Sequence, residues 1–214
     1  YDELVFNQVF YYLFIFHVLC KITFEQRHIL VYNAKENCYH GTGKGVLIMK
    51  KYNVGIIGAT GMVGQRFSLL LDKHPWFNVV CVAASPRSAG KKLKDAVAGK
   101  WKLSEPLPEA IGELTVLNAE EDVEKIASMV DFVFCAVDMK KDEIRALEEK
   151  YAKAECPVVS NNSAHRHTPD VPMVIPEVNP EHIEIIASQR KRLGTKRGFI
   201  AVKSNCSLQS YVPA

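Results

Sequence analysis

Gly58, Gly61 and Gly64 stand three residues apart in the run "GIIGATGMVGQRF", between an apolar segment and a segment of helical spacing. No other feature of the chain restricts its fold as sharply. Glycines at this spacing permit a tight turn and let the backbone approach a pyrophosphate. The first N–H groups of the following helix then face the phosphate oxygens. A lone glycine pattern carries little weight, and a turn cluster without a ligand is the bland alternative. Here the pattern opens a strand–loop–helix unit, which favours nucleotide binding at Gly58, Gly61 and Gly64.

The chain downstream alternates as a parallel sheet requires. "YNVGIIG" and "FNVVCVAAS" predict buried strands, and "GQRFSLLLDKH" between them places Phe67, Leu70 and Leu71 at helical spacing. "EEDVEKIASM" predicts a helix whose acidic start suits the positive end of the helix dipole. "VDFVFCAV" and "CPVVSNN" predict two more strands. The helix "KKDEIRALEEKYAKAE" lies between them, with Ile144, Leu147 and Tyr151 on one face. "KWKLSEPLPEAIGELTVLN" reads as a proline-bearing excursion between units, and no internal repeat is present. The expected fold is α/β, a doubly wound parallel sheet of the Rossmann type covering residues 49–205.

The second strand ends in "VAASPRSAGKK". A domain that prefers NAD usually carries Asp or Glu there, to accept from the ribose 2′-OH. Ser85, Arg87 and Ser88 stand there instead, with Lys91 and Lys92 nearby. Hydroxyls and a guanidinium suit a 2′-phosphate, which a carboxylate would repel, so the expected cofactor is NADP. A solvated basic turn is the bland alternative.

A net charge of +3 gives no sign of a nucleic-acid binder or a polybasic membrane segment. The six cysteines form no CxxC pair, which suits a reducing cytoplasm better than a disulfide framework or a zinc module. Residues 1–48 differ from the rest, holding ten of the twenty aromatic residues and none of the prolines. The stretch "LVFNQVFYYLFIFHVLCKITF" is apolar over the length of a membrane span, but Asn7, Gln8, His17 and Lys21 interrupt it. The reading preferred over a membrane anchor is translated AT-rich upstream DNA. The first methionine is Met49, directly before "KKYNVGIIGATG", and Lys44-Gly45-Val46 can be encoded by a purine-rich ribosome-binding sequence. On that reading the natural protein begins at Met49, and a native N-terminus upstream of Met49, read by mass spectrometry, would defeat it.

Cys206 follows the apolar run "GFIAV" and the polar "KSN". A helix beginning at Ser207 would put its thiol at a positive helix end, favouring thiolate. Cys81 and Cys135 lie inside apolar strands and Cys156 stands beside a proline, so these read as core fillers. A nucleotide domain followed by an activated cysteine points to oxidoreduction through a thiohemiacetal and a thioester. His165 and His167, with Asp170 near, give a superficial metal pattern, but no cysteine or third histidine completes it and no metal is expected.

Taken together, "NVGIIGATGMVGQRF", "ASPRSAGK", "SNNSAHR", "DVPMVIPEVNPEHI" and "SNCSLQSYVPA" resemble the aspartate-semialdehyde dehydrogenases of archaea, fungi and some bacteria. The likeness runs from about Lys50 to Ala214, and nothing in residues 1–48 belongs to it. It implies NADP-dependent interconversion of aspartate semialdehyde plus phosphate with aspartyl phosphate, on the route to lysine, threonine and methionine. By the same likeness Thr60, Gly61, Met62 and Val63 cradle the pyrophosphate, and Cys206 is the nucleophile, flanked by Asn205 and Gln209, which orient the substrate or nicotinamide. Arg166 supplies a guanidinium for the phosphate, although an ordinary loop arginine is the plain alternative, and Glu177 lines the substrate side. The family's catalytic histidine, further substrate-binding basic residues and most of its subunit interface belong to a second, α+β catalytic domain. Residues 206–214 are only its beginning, and no histidine follows Cys206. The full-length form is expected to be a homodimer or homotetramer, and the 214-residue chain alone nearly inactive. Two alternatives stay open. One is a malonyl- or succinyl-type acyl-CoA reductase on the same scaffold, with N-acetyl-glutamyl-phosphate reductase a poorer fit. The other is a non-catalytic NADP-binding fragment.

Overall fold

The computed structural model describes residues 51–175 and 178–205. The expectations for residues 1–48, Glu177, Cys206 and Gln209 lie outside the described residues. Seven strands form one sheet in which every pairing is parallel, in the order β3-β2-β1-β4-β5-β7-β6. In chain order the elements are β1 (Tyr52–Ile57), α1 (Met62–Leu70), β2 (Phe77–Ala84), α2 (Leu93–Ala96), α3 (Glu109–Gly112) and β3 (Val116–Asn118). They continue with α4 (Val123–Met129), β4 (Phe132–Cys135), α5 (Lys141–Lys153), β5 (Val158–Ser160) and β6 (Met173–Val174). A 3-10 turn (Pro180–Ile185) then leads into α6 (Ile186–Leu193) and β7 (Ile200–Lys203). The doubly wound parallel sheet expected from the alternating pattern is the architecture observed.

Helices cover both faces of the sheet, which is why its strands are continuous apolar runs rather than alternating ones. Val54, Ile56, Phe132 and Phe134 point to one face, where they pack with Phe67 and Leu71 from the first helical region. Ile57, Val133 and Cys135 point to the other, against Ile126 of α4 and Leu147 and Tyr151 of α5. Phe134 stacks on Phe67 with ring centroids 5.0 Å apart, and Phe77 and Phe132 meet edge to face at 5.7 Å. The predicted face of α5 holds: Ile144, Leu147 and Tyr151 are all buried, and the Tyr151 hydroxyl donates to the Ala119 carbonyl at 2.9 Å. Cys81, Cys135 and Cys156 are buried free thiols, and burial pushes the pKa of Cys81 and Cys156 up to about 12. They fill the core, as expected for Cys81 and Cys135 inside apolar strands and for Cys156 beside its proline.

Several elements were not separately expected, among them β3, β6 and α6. β3 closes the supposed excursion, β6 is a two-residue edge, and α6 precedes β7. Gln189 of α6 fastens that last strand. Its amide donates to the carbonyls of Asp170 and Ile200, both at 2.9 Å, and accepts from the Ile200 N–H at 2.6 Å. The turn into β7 is held by Glu155, whose carboxylate accepts from the N–H groups of Lys196, Arg197 and Gly198. Among the described residues, no helix is long and apolar enough to cross a membrane.

His74, in the turn between α1 and β2, makes the fold sensitive to acid. Its Nδ1 accepts from the N–H groups of Trp76 at 3.1 Å and Phe77 at 3.2 Å, and its ring stacks on Phe77. An imidazolium cannot accept those bonds. Burial, with Lys51 nearby, lowers its pKa from 6.5 to about 4. The unfolded chain therefore binds the proton first, and stability should fall as pH drops from 6.5 toward 4, then level off. The total loss is at most about 3 kcal/mol. Urea midpoints of the wild type and His74→Asn across that window should diverge, the variant lacking this share of the slope.

Candidate active site

The strand order reverses beside β1, since the chain passes from β1 to β2 on one side and later returns to β4 on the other. Ligands of open parallel sheets bind in the crevice such a reversal leaves at the carboxyl ends of the strands. The glycine loop lies there. The Gly58 and Ala59 N–H groups donate to the Ala83 carbonyl of β2 at 2.8 and 3.1 Å, and Gly61 donates back to Gly58 at 3.1 Å. The three glycines have different physical reasons. Gly58 has φ +88°, and a Cβ there would stand 2.4 Å from the Ala136 carbonyl oxygen. A Cβ on Gly64 would stand 2.2 Å from the Gly58 oxygen, so this glycine lets α1 pack on the loop. Gly61 has an ordinary φ of −76°, and its Cβ would meet nothing nearer than 3.4 Å. The fold does not require glycine at position 61.

Gly61 is also the N-cap of α1. It offers no side-chain acceptor to the first-turn N–H groups, and that turn carries no acidic residue. Those donors, at the positive end of the helix, are open to an anion. Met62 is 67 % and Val63 40 % exposed, so two of the four large exposed hydrophobic side chains among the described residues sit on this loop. Gln65, buried one turn on, braces it. Its amide donates to the Thr60 and Lys100 carbonyls at 3.0 Å each and accepts from the Lys102 N–H at 2.9 Å. Sequence reading passed over Gln65, because its bonds are to backbone atoms up to 37 residues away.

β2 lies beside β1, with Ile57 opposite Ala83, so the Ser85–Ser88 turn neighbours the glycine loop. The turn closes through Ser88 N–H on the Ser85 carbonyl at 2.9 Å, and Ser85 and Arg87 are exposed at its tip. Lys92 points elsewhere: it and Lys94 pair with Glu113, so Lys92 belongs to that cluster rather than to the turn.

On the other side of β1 the sheet continues through β4 and β5 to β7, three strand spacings or roughly 14 Å away. Arg166 reaches the end of β7, its Nε donating to the Lys203 carbonyl at 3.1 Å and its Nη2 to the Ser204 carbonyl at 3.4 Å. Arg166 and the exposed Asn205 therefore stand at one strand end, and the segment that Arg166 braces leads in sequence directly to Cys206. The two histidines beside Arg166 are not a pair. His165 is buried with Nδ1 3.0 Å from the Thr168 hydroxyl, His167 is exposed, and Asp170 engages Arg192.

A parallel sheet with an open, glycine-lined helix start beside its reversal point is a dinucleotide-binding domain of the doubly wound class. The chain belongs to the semialdehyde dehydrogenase family: the pattern described as "Semialdehyde dehydrogenase, NAD binding domain" matches residues 53–186. Among its relatives, the aspartate-semialdehyde dehydrogenase of Aspergillus fumigatus is 42% identical over 158 residues, covering 74% of this chain and 42% of that protein. The aspartate-semialdehyde dehydrogenase of Methanothermobacter thermautotrophicus is 46% identical over 155 residues, covering 72% of this chain and 42% of that protein. The crystal structure of the Candida albicans aspartate-semialdehyde dehydrogenase with NADP superposes with a TM-score of 0.65 at 41% identity, covering 75% of this chain and 44% of that one. The chain thus spans less than half the length of the relatives it matches.

Proposed function

We propose that this chain is the cofactor-binding and nucleophile-bearing part of an NADP-dependent aspartate-semialdehyde dehydrogenase. The observation that carries the reading is Arg166 at the end of β7. It braces the strand end that leads to Asn205 and Cys206, on the sheet edge that also bears the glycine loop. The relatives named above as aspartate-semialdehyde dehydrogenases, one of them solved with NADP, support it. The cradle suits a dinucleotide: open helix-end donors, a glycine at position 61 that the fold does not need, and an exposed Arg87 one strand away. Residues 58–64 would hold the pyrophosphate, and Ser85, Arg87 and Ser88 the ribose 2′-phosphate.

Cys206 Sγ would add as thiolate to the aldehyde carbon, giving a thiohemiacetal. Bound NADP⁺ supplies the acceptor for the hydride that leaves that carbon. Arg166 would hold the inorganic phosphate whose oxygen displaces Cys206 from the resulting thioester, giving the acyl phosphate and restoring the thiolate. Asn205 and Gln209 would orient the acyl group, with Glu177 on the substrate side. The divisions 1–48, 49–205 and 206–214 are proposed with the same reading, as are a cytoplasmic location and a full-length homodimer or homotetramer.

Isothermal titration of the chain with NADP⁺ and NAD⁺ tests the cofactor half of the proposal, and preferential NADP⁺ binding is expected. Incubation with aspartate semialdehyde and NADP⁺, followed by mass spectrometry of the intact chain, tests the thiol. An acyl adduct is expected to form on Cys206 only slowly, in keeping with a chain expected to be nearly inactive alone, and to be absent in Cys206→Ala. An adduct formed equally well in that variant would overturn the assignment of the nucleophile.

A further inference from the structure

Beneath the loop that carries Arg166 lie two polar side chains sealed from solvent, each with an atom left without a partner. Glu148 of α5 is fully buried, and its Oε1 accepts from the Ser160 hydroxyl at 2.5 Å and from Asn162 Nδ2 at 2.9 Å. Its Oε2 makes no hydrogen bond. His165 is equally buried, and its Nε2 also makes none. These two atoms face each other 4.0 Å apart. Unmade hydrogen bonds on buried polar atoms are costly, and two in contact call for a common explanation.

We infer that Glu148 and His165 share one proton as an uncharged pair, Glu148 donating from Oε2 to His165 Nε2, and that the pair positions the segment bearing Asn162 and Arg166.

A single proton resolves both atoms. A protonated Glu148 keeps Oε1 as the acceptor for Ser160 and Asn162 and gains a donor on Oε2. A neutral imidazole whose Nδ1–H donates to the Thr168 hydroxyl leaves Nε2 as an acceptor. Closing the gap to a normal length of ~2.7 Å needs a shift of about 1.3 Å, within reach of small side-chain rotations. The competing state is a buried carboxylate–imidazolium pair, which would pay desolvation for two charges. Burial raises the Glu148 pKa and lowers that of His165, so each group is driven toward its neutral form.

The groups around the pair do not reverse this. On the imidazole, the charges of Arg145 and Arg192 oppose protonation, while Glu149 favours it. The Arg145 carbonyl also favours it but lies outside hydrogen-bond geometry. Facing Glu148 are the Cys135 thiol and the side chains of Ser160 and Asn162, uncharged groups that each favour the carboxylate but together do not offset its burial.

The pair completes a clamp between α5 and the chain after β5. Glu148 holds Ser160 and Asn162, and Arg145 Nε donates to the Ala164 carbonyl at 2.9 Å. With His165 held as well, Arg166 is the next residue outward. The bearing of the clamp on phosphate binding rests on the function proposed above, but the protonation state does not.

The test uses the whole 214-residue chain. Long-range ¹H–¹⁵N NMR of the histidine rings should find His165 as the Nδ1–H tautomer, unchanged across about pH 5.5–7.5 where a free imidazole titrates. Glu148→Gln presents the same carbonyl to Ser160 and Asn162 and an N–H to His165, so it should keep that tautomer. It should also keep slow amide exchange over residues 160–166, which Glu148→Ala should speed at least tenfold. Because the folded pKa of Glu148 is raised, its stabilising share is complete below the unfolded value near 4.3 and is lost as pH rises. The urea midpoint of the wild type should therefore fall relative to Glu148→Gln with increasing pH.

An Nε2–H tautomer facing Arg145, a doubly protonated His165 at neutral pH, or parallel midpoints for the wild type and Glu148→Gln would each overturn the inference. NADP⁺ titration of the same wild-type sample reads the proposed function separately. Failure to bind there, with the expected tautomer present, would count against the function and leave the pair standing.

Discussion

Gly58→Ala and Gly64→Ala are expected to unfold the chain or leave it barely stable, whereas Gly61→Ala keeps the fold and loses the cofactor. At Gly58 a methyl would stand 2.4 Å from the Ala136 carbonyl oxygen, on a backbone with φ +88°. A left-handed φ costs an L-residue about 1–2 kcal/mol, and forced overpacking about 1–3 more. At Gly64 the methyl would press 2.2 Å from the Gly58 oxygen and 2.6 Å from Ala59 Cα. Neither neighbour is the end of a flexible side chain, so relief requires moving β1 against β4 or α1 away from its loop. Against a typical stability of about 5–15 kcal/mol, such losses are severe.

At Gly61 the methyl meets no closer atom than 3.4 Å, and exchanging glycine for alanine at an N-cap costs under ~1 kcal/mol. Its NADP⁺ affinity should nonetheless drop at least tenfold, because the methyl occupies the surface a pyrophosphate would touch. Urea denaturation and isothermal titration on the three variants read the two effects separately. Unchanged NADP⁺ binding by Gly61→Ala would mean that the loop is a packing device and not a phosphate cradle.

Arg87→Ala should lower NADP⁺ affinity about tenfold to a hundredfold while leaving NAD⁺ binding unchanged, since a charge-assisted hydrogen bond contributes about 1.5–3 kcal/mol. Ser85→Asp should act more strongly and in both directions. A carboxylate at the tip of β2 repels a 2′-phosphate but accepts from a 2′-hydroxyl. The exposed positions of Ser85 and Arg87 mean that neither change disturbs the core, so the affinities can be compared at constant stability. Equal weakening of NADP⁺ and NAD⁺ by Arg87→Ala would move the guanidinium from the ribose to the pyrophosphate.

Most of the sheet was readable because its strands are buried on both faces and therefore appear as unbroken apolar runs, such as Val54–Ile57 and Phe132–Cys135. β3 was not, because its three residues close a proline-bearing stretch that reads as one excursion, and β6 was not, because two residues are too few to carry a period. α6 escaped for a different reason: the residue it buries beside Ile186 is Gln189, which a hydrophobic count scores as surface. The glycine loop was legible as a group but not in its parts, since only a built backbone separates Gly58 and Gly64, needed by the fold, from Gly61, which is not. Arg166 was found only through a likeness to other sequences. What holds it is a pair of backbone carbonyls 37 and 38 positions away, and carbonyls carry no residue identity. Glu148 gives no sign of burial in the sequence, because its burial depends on the chain after β5 folding over it.

The place of β7 in the sheet bears on the order in which the chain can assemble on the ribosome. β7 is made last among the described strands, yet it lies between β5 and β6, and β6 has its sheet pairing with β7. Until Ile200–Lys203 emerges, β6 has no strand to join and Arg166 lacks the carbonyls it binds. At ~5–20 residues per second, several seconds separate completion of β5 from arrival of β7. During that interval the glycine loop already has β1, from which it springs, β2, to which its N–H groups donate, and β4, against whose end Gly58 packs. The nascent chain can thus assemble its nucleotide cradle first, and of the described strands β7 and the β6 it carries slide into place last.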